Sequence, residues 1–132
     1  MDLEEIKDTF AFLDDWEDKY RFVIDLGKTL PEMSGEARTE QNLVRGCQSQ
    51  VWLKAELQDG TLQLAMDSDA HIVRGLIAIV LAASNGRTPE EIRAFDMEGL
   101  FGELDLLSHL SPTRGNGLAA MVDRIREVAA GF

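Results

Sequence analysis

Between Val51 and Met66 the chain reads VWLKAELQDGTLQLAM, two alternating runs of apolar and polar residues joined by Asp59-Gly60. Few patterns constrain a fold more. A period of two puts Val51, Leu53, Ala55 and Leu57 on one face of a strand and Trp52, Lys54, Glu56 and Gln58 on the other. The glycine tolerates the positive φ of a two-residue hairpin turn, so Thr61 to Met66 returns antiparallel with Leu62, Leu64 and Met66 facing the core. A hairpin alone is marginal in water, and a third strand around Leu43 and Val44 is expected to complete a small antiparallel sheet.

The flanking segments change to helical spacing. Leu3, Ile6, Phe10 and Leu13 form one apolar stripe and Trp16, Tyr20, Val23, Ile24 and Leu30 a second, joined near Asp14 and Asp15. Glu32 to Asn42 reads as a surface loop. After the hairpin, Asp67, Ser68 and Asp69 offer caps to a helix starting near Ala70, whose Ile72 to Ala83 segment is apolar on nearly every side and must be buried. Asn85-Gly86 ends it. Thr88-Pro89-Glu90-Glu91 starts another helix with a cap, a proline at the first position and dipole-favouring acids. Short amphipathic pieces fill Phe95 to Leu107. A last helix, striped by Leu118, Met121, Val122, Ile125 and Val128, is introduced by SPTRGNG. Helices, an antiparallel meander and helices again predict an α+β fold, and 132 residues suit one domain, 1–132.

The charge and cysteine count narrow the function. A net charge of −11 repels phosphate backbones and anionic headgroups, so no nucleic acid and no membrane partner is expected. The longest apolar run, Leu76 to Ala83, falls far short of the roughly 18 residues of a membrane span. Acidic residues at the start do not match an export signal, and the chain is expected to be soluble and cytoplasmic. With one cysteine there is no internal disulfide and no cysteine cluster for zinc or an iron–sulfur unit.

That cysteine, Cys47, lies just before the strand, after Gly46 and ahead of Gln48, Ser49 and Gln50. Its residues leave two readings open: a buried inert thiol, or a reactive one whose thiolate is stabilised by nearby Arg45 or by N–H groups of the Gly46-Cys47-Gln48 turn. A two-cysteine redox cycle is unavailable, no phosphate-cradling arginine follows, and His71 and His109 are better explained as structural or solvent-exposed than as the base of a hydrolase. A single thiol suffices for covalent carriage of sulfur, and a nearby second thiol would discharge a persulfide.

VRGCQSQVW, with LPEM upstream, DSDAHIVRGLIAIV after the hairpin and HLSPTRGNGLAAM near the end, resembles the SufE family of cysteine desulfuration proteins over almost the whole chain. The resemblance implies an α+β fold akin to U-type iron–sulfur scaffold proteins. It implies that Cys47 accepts sulfane sulfur from the persulfide of a pyridoxal-phosphate cysteine desulfurase, stimulates that enzyme, and delivers the sulfur to an iron–sulfur assembly scaffold, without turnover of its own. Gly46, Gln48, Ser49 and Gln50 would present the thiol, Arg114 would serve docking or stabilise the sulfur anion, and Asp69 would lie near the same surface. No cofactor and no metal of its own is implied, the pyridoxal phosphate belonging to the partner. A non-catalytic desulfurase-binding adaptor, and a carrier from a paralogous branch serving tRNA modification, are the alternatives.

Overall fold

A computed structural model describes residues 2–132. Helix α1 (Leu3–Phe12) starts where the Asp2 carboxylate accepts the Glu5 N–H, and α2 (Trp16–Thr29) where Asp15 does the same for Asp18. Both caps satisfy N–H groups that a helix leaves orphaned, which is why the break falls at Asp14-Asp15. Strands β1 (Val51–Gln58) and β2 (Thr61–Ser68) pair with Leu53 opposite Met66 and Ala55 opposite Leu64. Asp59 and Gly60 have φ of 52° and 82°, the left-handed pair that a two-residue hairpin turn needs. Leu62, Leu64 and Met66 are buried as the alternation requires; Leu57, at the tip beyond the helices, is half exposed.

Helix α3 (His71–Ser84) runs through the core, with Leu76, Ile77, Ile79 and Val80 almost wholly buried. It crosses α2 at two glycines: a Cβ on Gly27 would stand 2.8 Å from the Gly75 amide nitrogen, and one on Gly75 would collide with the Val23 carbonyl. Helices α4 (Pro89–Ala94), α5 (Met97–Glu103) and α6 (Pro112–Ala130) complete the order, α4 with the Thr88/Glu91 capping box formed in both directions.

Three expectations are corrected. The sheet has two strands among the described residues, not three. Leu43 makes one isolated bridge to Trp52, and the Val44 N–H donates to the Val51 carbonyl at 2.8 Å. The pairing stops there because Gly46, at φ 90°, turns the chain away. The opposite edge, on β2, is closed by the α3–α4 connection: Gly86 N–H to Leu62 O, Leu62 N–H to Arg87 O, and Leu64 N–H to the Asn85 side chain, each 2.8 Å. Both edges are thereby satisfied without a third full strand.

Second, neither Asp67 nor Asp69 caps α3, whose cap residue Ala70 has no side-chain cap bond. Asp67, fully buried on the outer face of the hairpin, accepts from Met33 N–H (3.0 Å), Ser68 N–H (2.8 Å), Arg38 (2.7 Å) and Arg74. Burial works against its ionisation, but the two backbone donors and the two guanidinium groups outweigh it and hold the carboxyl below its ordinary range. The Arg38 guanidinium also lies 5.1 Å from the Trp52 ring centroid. Trp52 is thus buried under the 31–42 loop on the outer face of the hairpin, not in the main core. Third, SPTRGNG is not a lead-in to the last helix but its first turns: Ser111 is the cap, Pro112 the first helical residue, and Arg114, Gly115 and Gly117 lie inside α6.

Candidate functional site around Cys47

The turn that ends the Val44 pairing delivers Cys47 to α6. Gly46 serves twice, through its positive φ and because a Cβ there would press to 3.1 Å on the Ala120 methyl. Beyond it, Cys47 is half-buried, with its Sγ 3.5 Å from the Gly117 carbonyl of α6. The loop is closed at its far end by a reciprocal pair: Gln50 N–H donates to the Asp69 carboxylate at 3.1 Å, and Asp69 N–H to the Gln50 carbonyl at 3.4 Å.

Between loop and helix lies a cavity of about 90 Å³. Its floor is apolar, from Val51, Val73, Leu76, Leu118 and Met121, and its rim is polar, from Gln48, Ser49, Thr113 and Arg114. Burial pushes the thiol pKa up. No positive group offsets this, since the one hydrogen-bond partner of the sulfur among the described residues is an acceptor carbonyl, which favours S–H over S⁻. In the free protein Cys47 therefore rests as a sheltered thiol.

Of the sequence-predicted residues, Cys47, Gln48, Ser49 and Arg114 share this cavity, Gly46 makes the turn, and Gln50 and Asp69 tie down the loop. Arg45 does not join them: its exposed side chain pairs with Glu40 at 3.4 Å and borders a separate groove against α6. Neither histidine lines the cavity. His71 is exposed, and His109 stacks on Trp16 (centroids 4.4 Å apart) and bonds Asp105 at 3.2 Å. A cysteine–histidine hydrolase therefore lacks its base here. Among the described residues no group of three or more His, Cys, Asp or Glu is placed to hold a metal ion, and no helix is long and apolar enough to cross a membrane.

Sequence reasoning missed Gly117, Thr113 and Met121 as site residues. One signal was available: extending the Leu118–Met121–Ile125 stripe back by one turn brings Arg114 and Gly117 onto the same face, if the helix starts at Pro112.

Comparisons with known proteins identify the family. A family model described as an Fe-S metabolism associated domain, SufE, matches residues 4–129. The chain belongs to the SufE family. An uncharacterized SufE-like protein of Rhizobium meliloti (strain 1021) is 51% identical over 133 residues, covering 98% of this chain and 95% of that one. Another, from Rhizobium etli, is 52% identical over 131 residues, covering 96% of this chain and 88% of the relative. The solution structure of a hypothetical protein from Thermus thermophilus superposes with a TM-score of 0.79 at 19% identity, covering 98% of this chain and 93% of that one, which shows a shared fold. SufE membership places the chain in iron–sulfur metabolism, on the side of sulfur handling.

Proposed function

We propose that this chain is a cytoplasmic sulfur acceptor and carrier, a single domain that takes persulfide sulfur from a pyridoxal-phosphate cysteine desulfurase, stimulates it, and hands the sulfur to iron–sulfur cluster assembly. The observation that carries the reading is the position of Cys47. The chain's only cysteine borders a cavity of about 90 Å³. One water-sized atom needs only roughly 10–15 Å³ of such space, so a sulfur added to Cys47 has somewhere to go.

The transfer is a thiol exchange. The Cys47 thiolate attacks the outer sulfur of the donor persulfide; a new S–S bond forms on Cys47, the donor's S–S bond breaks, and the donor cysteine leaves as thiolate. The outer sulfur keeps its hydrogen and no outside oxidant is needed. Because burial favours the protonated thiol, the loop from Leu43 to Gln50 must lift for Cys47 to ionise and reach the donor, and its closing then shelters the product from other thiols. Gly46, Gln48, Ser49 and Gln50 present the thiol, Asp69 holds the loop shut, and Arg114 at the cavity rim stands beside the transferred sulfur once it ionises.

Intact-mass spectrometry after incubation with a cysteine desulfurase and cysteine tests this. Added sulfur confined to the Cys47 peptide, and absent from Cys47→Ser, is the expected result. An unmodified wild-type chain overturns the carrier reading, and Cys47→Ser that still stimulates desulfurase turnover in full points to an adaptor.

A further inference from the structure

Helix α6 contains a glycine that the resting structure does not require. Gly117 is buried in the helix interior, where glycine destabilises relative to alanine. Its backbone does not call for it: the glycines at positive φ are Gly46, Gly60 and Gly86. Packing does not call for it either. A Cβ at Gly117 would meet Cys47 alone, at 3.8 Å from Sγ, 3.9 Å from Cα and 4.0 Å from Cβ, all ordinary van der Waals contacts. Gly75 is different, since a side chain there collides with backbone. Alanine at 117 is thus compatible with the reduced protein and would favour the helix.

What alanine would take away is space around one atom. Cys47 Sγ already leans on α6, where it donates to the Gly117 carbonyl at 3.5 Å, and Gly117 lines the cavity beside it. A second sulfur bonded about 2.05 Å from Sγ and directed at α6 would lie well inside contact distance of a methyl group at 117. With alanine present the thiol fits, and a persulfide pointing that way does not.

We infer that Gly117 is a positioning residue for the sulfur cargo, its missing side chain reserving the place on α6 where the outer sulfur of the Cys47 persulfide lodges. This rests on the carrier reading. With a methyl at 117 the outer sulfur is displaced toward the polar rim, where solvent thiols reach it.

The test loads the persulfide chemically, without a desulfurase. Cys47 is converted to its mixed disulfide with 2-thiopyridine, and hydrosulfide then attacks Sγ; the new S–S bond forms, the pyridyl S–S bond breaks and thiopyridone leaves. Loss of the outer sulfur to dithiothreitol is followed by intact mass in wild type, Gly117→Ala and Gly115→Ala. The last is a control in the same helix, whose added Cβ has Leu107 as its nearest neighbour at 3.8 Å. Gly117→Ala is expected to lose its sulfur at least about tenfold faster than the other two, as overpacking a filled site implies. Its melting temperature and the iodoacetamide alkylation rate of its bare thiol should match Gly115→Ala. Equal persulfide lifetimes overturn the inference, as does an equal acceleration of bare-thiol alkylation, which would mean that the methyl merely opens the loop. A Gly117→Ala protein that does not fold overturns it too, by refuting the fit of the Cβ. A desulfurase arm on wild type separates the two claims: failure to load there, with the chemical difference intact, removes the carrier reading and with it the cargo role, leaving only the steric shelter that Gly117 gives a chemically installed persulfide.

Discussion

Asp67 and Cys47 are both withdrawn from water at the same end of the hairpin, Asp67 fully and Cys47 in part. Desolvation pushes the pKa of each upward. Around Asp67 it is outweighed by two backbone N–H groups and two guanidinium groups, and the carboxyl stays ionised. Around Cys47 it is opposed by nothing, because the sulfur meets a carbonyl and an apolar floor. The first region is a fixed point joining the 31–42 loop to the hairpin and to α3. The second is a loop held, beyond its Val44–Val51 pairing, by one reciprocal pair at Gln50–Asp69 and one weak sulfur contact. The difference teaches that burial by itself does not set chemistry; the donors supplied along with it do. A rigid neighbour also lets a short segment move without loosening the fold.

The strongest way to break this contrast is Asp67→Asn, which leaves Arg74, its side chain only 14% exposed, without a counter-charge. A loss of about 3–5 kcal/mol in urea unfolding is expected, as for other buried pairs cut on one side; a loss under about 1 kcal/mol would mean the hub is not a fixed point. The sign with pH follows from the depressed carboxyl. Its stabilisation is complete above the ordinary aspartate range and is lost as pH falls through the depressed value, so the acid limb of the stability curve should shrink in Asp67→Asn.

The pH profile of Cys47 alkylation comes next. With the pKa raised, the rate in the free protein should still climb where an unstructured cysteine peptide has reached its plateau, and added desulfurase should move the midpoint down. By the same linkage this thiol stabilises the fold below the ordinary thiol value and ceases to do so as pH rises through the raised one. A midpoint at or below that of the peptide would erase the contrast with Asp67.

Two smaller effects sharpen it. Arg114→Ala is expected to slow sulfur loading by about fivefold, the worth of roughly 1 kcal/mol of charge interaction, and Arg45→Ala to leave it unchanged; equal effects would dissociate the cavity rim from function. Asp69→Ala removes the acceptor of the Gln50 N–H and should speed amide exchange at Gln50 by a similar factor, since a hydrogen bond of this kind contributes about 1 kcal/mol. Unchanged exchange would show that other contacts hold the loop.

Much of this was legible in the residues. The hairpin, its left-handed turn, the break at Asp14-Asp15 and the Thr88 cap all follow from interactions within a few positions along the chain. The family resemblance, carried by GCQSQVW together with DSDAHIVRGLIAIV and HLSPTRGNGLAAM, implies that Cys47, Asp69 and Arg114 lie near one surface. Trp52 shows where local reading stops: alternation places it on the face away from the main core, and its burial there depends on Arg38, a residue fourteen positions earlier. Asp67 looked like a helix cap because Asp, Ser and Asp before an apolar run usually are caps. Arg38 and Arg74, brought in from elsewhere, claimed it instead.

Sequence alone determined most of the elements, their order and the place of the chain's one thiol just before the hairpin, since turns, caps and periodicity are short-range. Tertiary structure decided that Leu43-Val44 would bridge and not build a strand, that SPTRGNG would be helix, and that the thiol would rest protonated against Gly117 beside a cavity. Those outcomes depend on which distant groups arrive next to a given atom, and solvent exclusion and donor geometry exist only once the chain has closed on itself.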